Sequence, residues 1–184
     1  MSIENFNREK FEIIRTENPG NMHGISLQIY EKPADQNKAP ASELLLEEEG
    51  TSYIISHRHT QPEFRRKGYG SILLDEAKKE GRELKLKTSQ LEVINWAIKN
   101  GFKSENSTIP SKENLEELGM KEITAEMRST QEKTKVLVPI DFNEANASQA
   151  DIENNAIRIT LSFKNVANRT EGYKKAVNAI LEDK

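Results

Sequence analysis

The most informative stretch of this sequence is Arg65-Arg66-Lys67-Gly68-Tyr69-Gly70-Ser71. It joins three cations to two glycines, and an apolar pattern of helical period begins directly after it. Glycine lets the main chain turn sharply and approach a ligand closely, and the N–H groups at a helix start favour negative charge. The stretch therefore predicts a loop that binds a multiply charged anion, with Ser71 as the cap of the following helix.

The segments around this loop predict the order strand, loop, helix, strand, helix. Residues 51–60 are rich in β-branched and aromatic side chains, which favours a strand, and Pro62 marks a turn before the loop. Apolar residues at helical spacing continue to Gly81, residues 84–88 alternate like a strand, and a second helical pattern ends at Gly101. This order predicts two parallel strands joined by a crossover helix.

Two common nucleotide-binding motifs are excluded by the spacing of the glycines. A P-loop requires a lysine and a serine or threonine directly after its second glycine, and the chain lacks that pattern. A dinucleotide fingerprint requires a third glycine three residues after the second, where this chain has Leu73.

The pattern Arg65-x-x-Gly68-x-Gly70 resembles the acyl-coenzyme A loop of the GCN5-related N-acetyltransferases, the GNAT superfamily. The lead-in at residues 62–65 and the ending Asn100-Gly101-Phe102 are similar to those of the same family, so the resemblance covers residues 51–102. It implies an α+β fold with a mixed, mostly antiparallel central sheet and flanking helices. It also implies acetyl-coenzyme A (acetyl-CoA) as acyl donor and an amine, on a small molecule or a protein, as acceptor.

The resemblance also implies which residues bind coenzyme A. On the strand before the loop, Arg58 and Thr60 would offer main-chain N–H groups to the pantetheine arm and the acetyl oxygen. Gln90 stands where many members place a cofactor-contacting asparagine, although a role as a helix cap accounts for it equally well. The loop itself would supply Arg65, Arg66, Lys67, Gly68, Tyr69, Gly70 and Ser71.

The catalytic base is less clearly specified than the cofactor loop. The positions that carry a Glu or His base in many family members are Ser56 and Ile54 here, and neither side chain is a base. His57 and His59 lie on the other face if the strand is regular, but a β-bulge would redirect them. Both histidines are therefore candidate catalytic residues.

Two further comparisons with the family bear on catalysis. A compact GNAT-like subgroup carries Ile-x-His-Thr before its loop, and residues 55–58 are similar, which favours His57 over His59. The tyrosine that commonly protonates the leaving thiolate would stand at Ala97, so the usual acid is missing. The alternative function is therefore a catalytically degenerate protein of this fold that binds coenzyme A or a protein partner without turnover. A third option is a different α+β domain in which the glycine loop is coincidental.

Composition limits the remaining possibilities. The 184 residues carry a net charge of −3 and no cysteine, which excludes disulfides, thiolate catalysis and cysteine zinc sites, and no metal site is predicted. The first residues lack a signal peptide, and no apolar run is long enough to span a bilayer, so a cytoplasmic protein without membrane contact is expected.

The distribution of charge also bears on the ligand. Residues 57–87 hold nine Lys or Arg against five Asp or Glu in an otherwise acidic chain, which favours a phosphorylated cofactor over nucleic acid. Within this segment, Lys78, Lys79 and Arg82 are interpreted as an ordinary solvated helix face.

The rest of the chain is interpreted as one domain, residues 1–184, with a motif core at 42–102 and a C-terminal part at 103–184. Three or four antiparallel strands precede the motif and leave little room for the two helices that the family usually places there. After residue 102, a helix is predicted at 111–129, a loop at 143–155 and a terminal helix near 173–181. Strands at 135–141 and 157–163 would form the family's closing antiparallel pair, and the C-terminal part is a candidate homodimer contact.

Overall fold

The computed structural model describes residues 9–35, 37–105, 108–126 and 133–164, which contain nine strands and three α-helices. The strands are β1 (Phe11–Glu17), β2 (Gly24–Glu31), β3 (Ser42–Glu49), β4 (Ser52–Thr60), β5 (Glu83–Thr88), β6 (Lys103–Ser104), β7 (Met120–Glu126), β8 (Lys133–Pro139) and β9 (Ile159–Phe163). The helices are α1 (Tyr69–Lys78), α2 (Leu91–Lys99) and α3 (Gln149–Asn155), and a short 3-10 helix spans Pro62–Phe64. The predicted α+β class is confirmed.

The chain divides into two compact units. One contains the chain up to Lys85 together with residues from Phe163 onward, and the other is Leu86–Ser162. The division falls inside the predicted motif core of residues 42–102, and β5 begins in the first unit and ends in the second.

The first unit is built on a mixed, mostly antiparallel sheet. Its strands follow the order β1-β2-β3-β4-β5, in which the first four pair as an antiparallel meander and β5 runs parallel to β4. Only residues 18–23 connect β1 to β2, so the predicted shortening of the N-terminal half is confirmed. The predicted parallel pair, joined by a crossover helix, is confirmed as well.

The core of the first unit lies between α1 and one face of this sheet. The helix contacts β2, β3 and β4, and it buries Ile72, Leu73, Leu74 and Ala77. On the sheet, strand alternation directs Ile25, Leu27, Ile29, Leu44, Leu46 and Ile55 into the same core. Burying a large aliphatic side chain contributes about 1.5–3 kcal/mol, so this layer fixes the start of α1 against the end of β4.

The start of α1 differs from the prediction. The helix begins at Tyr69, and its cap is Gly68 rather than Ser71. Gly68 has φ +84°, which glycine adopts without steric cost, and its carbonyl accepts hydrogen bonds from the N–H groups of Ser71 and Ile72 at 3.0 Å each. Gly68 has no side chain that could accept a capping hydrogen bond.

The predicted end of the second helix is confirmed in the second unit. Gly101 has φ +88°, its N–H donates to the carbonyl of Ile98, and the N–H of Phe102 donates to the carbonyl of Ala97, each at 3.0 Å. This is a Schellman ending, which requires a left-handed residue such as glycine after the last helical turn.

The helix predicted at 111–129 is wrong in its described part. Turns occupy residues 112–119, and β7 then pairs with β8 as an antiparallel hairpin. Gly119 has φ +67°, which interrupts helical geometry, and beyond it Ile123 and Ala125 alternate into a small core with Val136 and Val138. Pairing with β8 therefore overrides the helical spacing of the apolar residues.

Two other predictions for the second unit are also wrong. The strands at 135–141 and 157–163 do not form a closing pair, because β8 pairs with β7 whereas β9 pairs with β6. The loop at 143–155 contains α3, which starts with a capping box between Ser148 and Asp151 and packs against β7 and β8. The predicted terminal helix near 173–181 lies outside the described residues.

No helix in the described ranges is both long enough and apolar enough to span a membrane.

The meander generates a stability prediction at Gly24. A Cβ atom at this position would lie 1.9 Å from the carbonyl oxygen of Leu46, a main-chain atom that cannot move without breaking the β2–β3 pair. We expect Gly24→Ala to lower the free energy of unfolding by about 3 kcal/mol or more.

Gly50 provides the matched control, because it has φ +58° but nothing within 4 Å of its Cβ position. Gly50→Ala should cost only about 1–2 kcal/mol, the cost of a left-handed side-chain residue. Urea denaturation of both variants measures the difference, and equal losses would contradict the packing assigned to Gly24.

Candidate functional site

β4 contains a bulge at Ser56. The β3–β4 register pairs Leu46 with Ile55 but Leu45 with His57, so Ser56 has no partner on β3. One extra residue in a strand reverses which face each later side chain occupies. The bulge proposed from the sequence is therefore present.

Beyond the bulge, the side chains of β4 alternate between two faces of the sheet. Arg58 and Thr60 pair with Leu44 and Ser42 and so share the α1 face of the sheet. His57 and His59 project from the opposite face, the face that also carries Ile54. Both histidines thus lie on the face where family members place their base.

The two histidines lie beside a carboxylate. The rings of His57 and His59 stack with centroids 6.3 Å apart and an interplanar angle of 16°. His57 Nε2 is 3.9 Å from Glu43 Oε2, and the His57 side chain is 44% exposed against 23% for Glu43. His57 is therefore open to a reactant while one of its nitrogens faces a negative charge.

Glu43 was not among the residues predicted from the sequence. The signal that could have found it is strand alternation on β3, which places residue 43 on the polar face, directly opposite His59.

The glycine loop turns back on the end of β4. Arg66 has φ +61° and Gly68 has φ +84°, so two of four consecutive residues are left-handed. The guanidinium of Arg65 donates from Nε to the carbonyl of Thr60 at 3.1 Å. Alternating backbone handedness of this kind forms concave arrays of N–H groups that bind anions.

The start of α1 also approaches β4 closely. A Cβ atom at Gly70 would lie 3.9 Å from Thr60 Oγ1, an ordinary van der Waals distance. Thr60 Oγ1 in turn shares a hydrogen bond of 2.8 Å with Ser42 Oγ. The protein itself thus leaves room for a small side chain at Gly70.

An aromatic cluster fixes both ends of the loop. Phe64 and Tyr69, which flank residues 65–68, have ring centroids 5.7 Å apart, and Phe11 of β1 lies 6.1 Å from the first and 5.2 Å from the second. Burial raises the pKa of Tyr69, with a further contribution from the charge of Glu31. Its hydroxyl therefore stays neutral at physiological pH, and we assign the ring an anchoring role.

The cations of the loop differ from those at the end of α1. There, each cation contacts a carboxylate: Lys78 with Asp75 at 3.0 Å, Lys79 with Glu76 at 2.6 Å and Arg82 with Glu48 at 3.0 Å. All three cations are thus paired, but only Lys79, whose side chain is 61% exposed, matches the interpretation of a solvated helix face. Arg66 and Lys67 are exposed and form no ion pair within the described residues, and the ammonium of Lys67 lies 5.3 Å from the Phe64 ring centre. Positive charge is therefore concentrated on the loop.

The main chain at Arg58 and Thr60 lies beyond the parallel pairing of β4. The β4–β5 register covers only Ser52–Ile54, and β4 continues for six more residues to Thr60. On the β5 side, residues 55–60 of β4 therefore form the edge that a ligand extended along the strand would meet.

Gln90 and Ala97 lie in the second unit. Gln90 is the N-cap residue of α2, in agreement with its interpretation as a helix cap, although its side chain makes no capping hydrogen bond. Gln90 lines a cavity of about 250 Å³ together with Ser89 and Arg158. Ala97 is fully buried and carries no proton donor.

Comparisons with known proteins show only remote likenesses. Neither a protein-family model nor a curated protein matches the chain. A protein from Bacteroides thetaiotaomicron that is named as a GNAT-family acetyltransferase is 12% identical, with a TM-score of 0.40, and the match covers 96% of this chain and 75% of that one.

Two further solved structures match at a similar level. Nourseothricin acetyltransferase is 11% identical, with 84% of each chain covered and a TM-score of 0.42. A GNAT-family acetyltransferase from Staphylococcus aureus Mu50 is 12% identical, with 77% of this chain and 68% of that one covered and a TM-score of 0.35. Because all three TM-scores are below 0.5, we assign no property to this chain from these structures.

The class of protein is therefore defined by the chain's own fold and site. It is a mixed α+β protein with a basic glycine loop between a bulged strand and the crossover helix to a parallel strand. Within that class, the resemblance to the GNAT superfamily rests on the loop motif, on the order of the elements and on the Schellman ending at Gly101.

The left-handed backbone of Arg66 generates a second stability prediction. We expect Arg66→Gly to leave the free energy of unfolding unchanged or to raise it by up to about 1 kcal/mol, because glycine adopts φ +61° without steric cost. The neighbouring Arg65 has φ −61° and donates to Thr60, so Arg65→Gly should instead lower it by about 1 kcal/mol. Urea denaturation compares the two variants, and a larger loss in Arg66→Gly than in Arg65→Gly would contradict the strained loop.

Proposed function

We propose that this protein is an acetyl-CoA-dependent N-acetyltransferase that transfers the acetyl group directly to an amine. The observation that carries the proposal is the loop at residues 65–71, where a helix start without a side-chain cap, a left-handed Gly68 and three exposed cations come together. This combination suits a pyrophosphate, because helix-terminal N–H groups and guanidinium groups both bind phosphate oxygens.

The residues present fit acetyl-CoA in several respects. Gly70 carries no side chain where a phosphate would approach the main chain, and the aromatic cluster holds the loop in place before any ligand arrives. Arg65, Arg66 and Lys67 would neutralise the phosphate charges. The β4 edge beyond Ile54 would hold the pantetheine arm through the main-chain N–H groups of Arg58 and Thr60.

The proposed chemistry requires a neutral amine next to the thioester carbonyl. His57 would remove a proton from the ammonium form of the acceptor, and His59, which stacks on it, is the second candidate for this role. The amine nitrogen then forms a bond to the carbonyl carbon and the carbon–sulfur bond breaks. The second proton of the nitrogen goes to the leaving thiolate, directly or through water, which gives the acetamide and coenzyme A.

A second candidate function is coenzyme A binding without turnover. It is favoured by Ala97, because this buried methyl group supplies no acid at the position where the family commonly has one. The same loop would then retain the ligand for a structural or partner-binding role.

Ligand-dependent melting tests the loop. Acetyl-CoA at one hundred times its dissociation constant should raise the free energy of unfolding by about 2.7 kcal/mol. We expect Gly70→Glu to fold, because an acid in the first turn of a helix is favourable, but to lose the melting shift, because its carboxylate repels the phosphates.

Gly70→Ala is the matched control, and it should keep the shift because a Cβ atom fits at this position. A missing shift in the parent protein, or an intact shift in Gly70→Glu, would refute the proposed site.

Replacement of His57 tests catalysis separately. We expect His57→Ala to lower kcat over a panel of amines by about 10²- to 10⁴-fold, as loss of a general base does, and to keep the acetyl-CoA melting shift. His59→Ala serves as the comparison and should have the smaller effect. Undiminished turnover in His57→Ala would exclude it as the base, and a melting shift without turnover on any amine would favour the second function.

A further inference from the structure

Glu43 is held on the polar face of the first unit by residues of two strands. Its Oε1 atom accepts a hydrogen bond from the Gln28 side-chain amide and lies 3.5 Å from Ser26 Oγ. Its Oε2 atom lies 3.9 Å from His57 Nε2. Each carboxylate oxygen thus has its own partner, and rotation of the carboxylate would break contacts on both sides.

The orientation of this carboxylate is fixed by a third polar side chain. Tyr30 donates from its hydroxyl to Gln28 Oε1 at 3.2 Å, which directs the Gln28 amide nitrogen to Glu43. Burial raises the pKa of Tyr30, and the charge of Glu43 adds to the effect, so the hydroxyl remains a donor. The relay Tyr30–Gln28–Glu43 therefore ends at His57.

The bulge is the reason that Glu43, the last residue of this relay, lies next to His57. Because Ser56 is unpaired, His57 lies opposite Leu45 and on the same face as Glu43, its diagonal neighbour two residues along β3. Diagonal pairs in a sheet lie within reach of long side chains. Without the bulge, His57 would project toward the α1 core and would not meet the carboxylate.

We propose that Glu43 is a positioning residue for His57. The effect of this positioning on catalysis rests on the proposed function. The carboxylate, with Oε2 3.9 Å from Nε2, orients the imidazole from that side. The Nδ1 side of the ring is then left for the acceptor amine. Glu43 itself does not touch the reacting atoms.

The first test measures the ring itself and requires no substrate. In Glu43→Gln, which keeps the shape of the side chain but removes its charge, we expect the NMR order parameter of the His57 ring to fall below about 0.6, the range of flexible groups. Glu47→Gln is the matched control, because Glu47 lies on the same strand and face but pairs opposite Ile54, before the bulge. An unchanged His57 ring in Glu43→Gln would overturn the proposal whether or not the protein is an enzyme.

The second test uses turnover. Glu43→Gln should lower kcat by about tenfold with KM and the acetyl-CoA melting shift unchanged, and Glu43→Asp should restore part of the loss. In a His57→Ala background, Glu43→Gln should cause no further loss, because Glu43 acts only through His57. A further loss of kcat in that background would overturn the positioning role. If the parent protein shows no turnover but the His57 ring is loosened in Glu43→Gln, the proposed function is rejected and the positioning role stands.

Discussion

The register shift at Ser56 is the constraint on which the candidate site depends. Before it, Ile55 pairs with Leu46 and faces the α1 core, and that packing fixes where β4 lies. After it, side-chain directions are reversed, so Thr60 faces the start of α1 while His57 faces the opposite side. A single extra residue therefore places the loop support and the candidate base on different faces of one strand.

The conformation of the glycine loop depends on the end of β4 and on the buried side chains of α1. Leu73 and Leu74 are completely buried and hold α1 on the sheet, and Arg65 closes the loop on the carbonyl of Thr60. The backbone of the loop is therefore held in place by the protein itself, so binding of the proposed ligand would not have to supply the ordering free energy. The exposed charges of Arg66 and Lys67 would then add attraction for the phosphates of that ligand.

Much of the first unit could be predicted from the sequence because its signals are local. Strand alternation, the turn at Pro62 and the glycine at 68 each determine backbone conformation within a few residues, and Gly101 does the same in the second unit. The hairpin of β7 and β8 was missed because Leu115, Leu118 and Ile123 have helical spacing, and only pairing with a strand further along the chain reveals the correct element. The position of the bulge, and with it the contact of His57 with Glu43, likewise depends on a neighbouring strand, so a single strand's sequence could raise the possibility but not decide it.

The most direct test of the account is an amide ¹H–¹⁵N spectrum of the protein titrated with coenzyme A. We expect the largest chemical-shift changes on the backbone amides of Gly68, Tyr69 and Gly70, and pantetheine, which lacks the pyrophosphate, should leave these amides nearly unchanged. Coenzyme A binding that leaves these three amides unmoved, or equal changes with pantetheine, would contradict the claim that this loop is a pyrophosphate site.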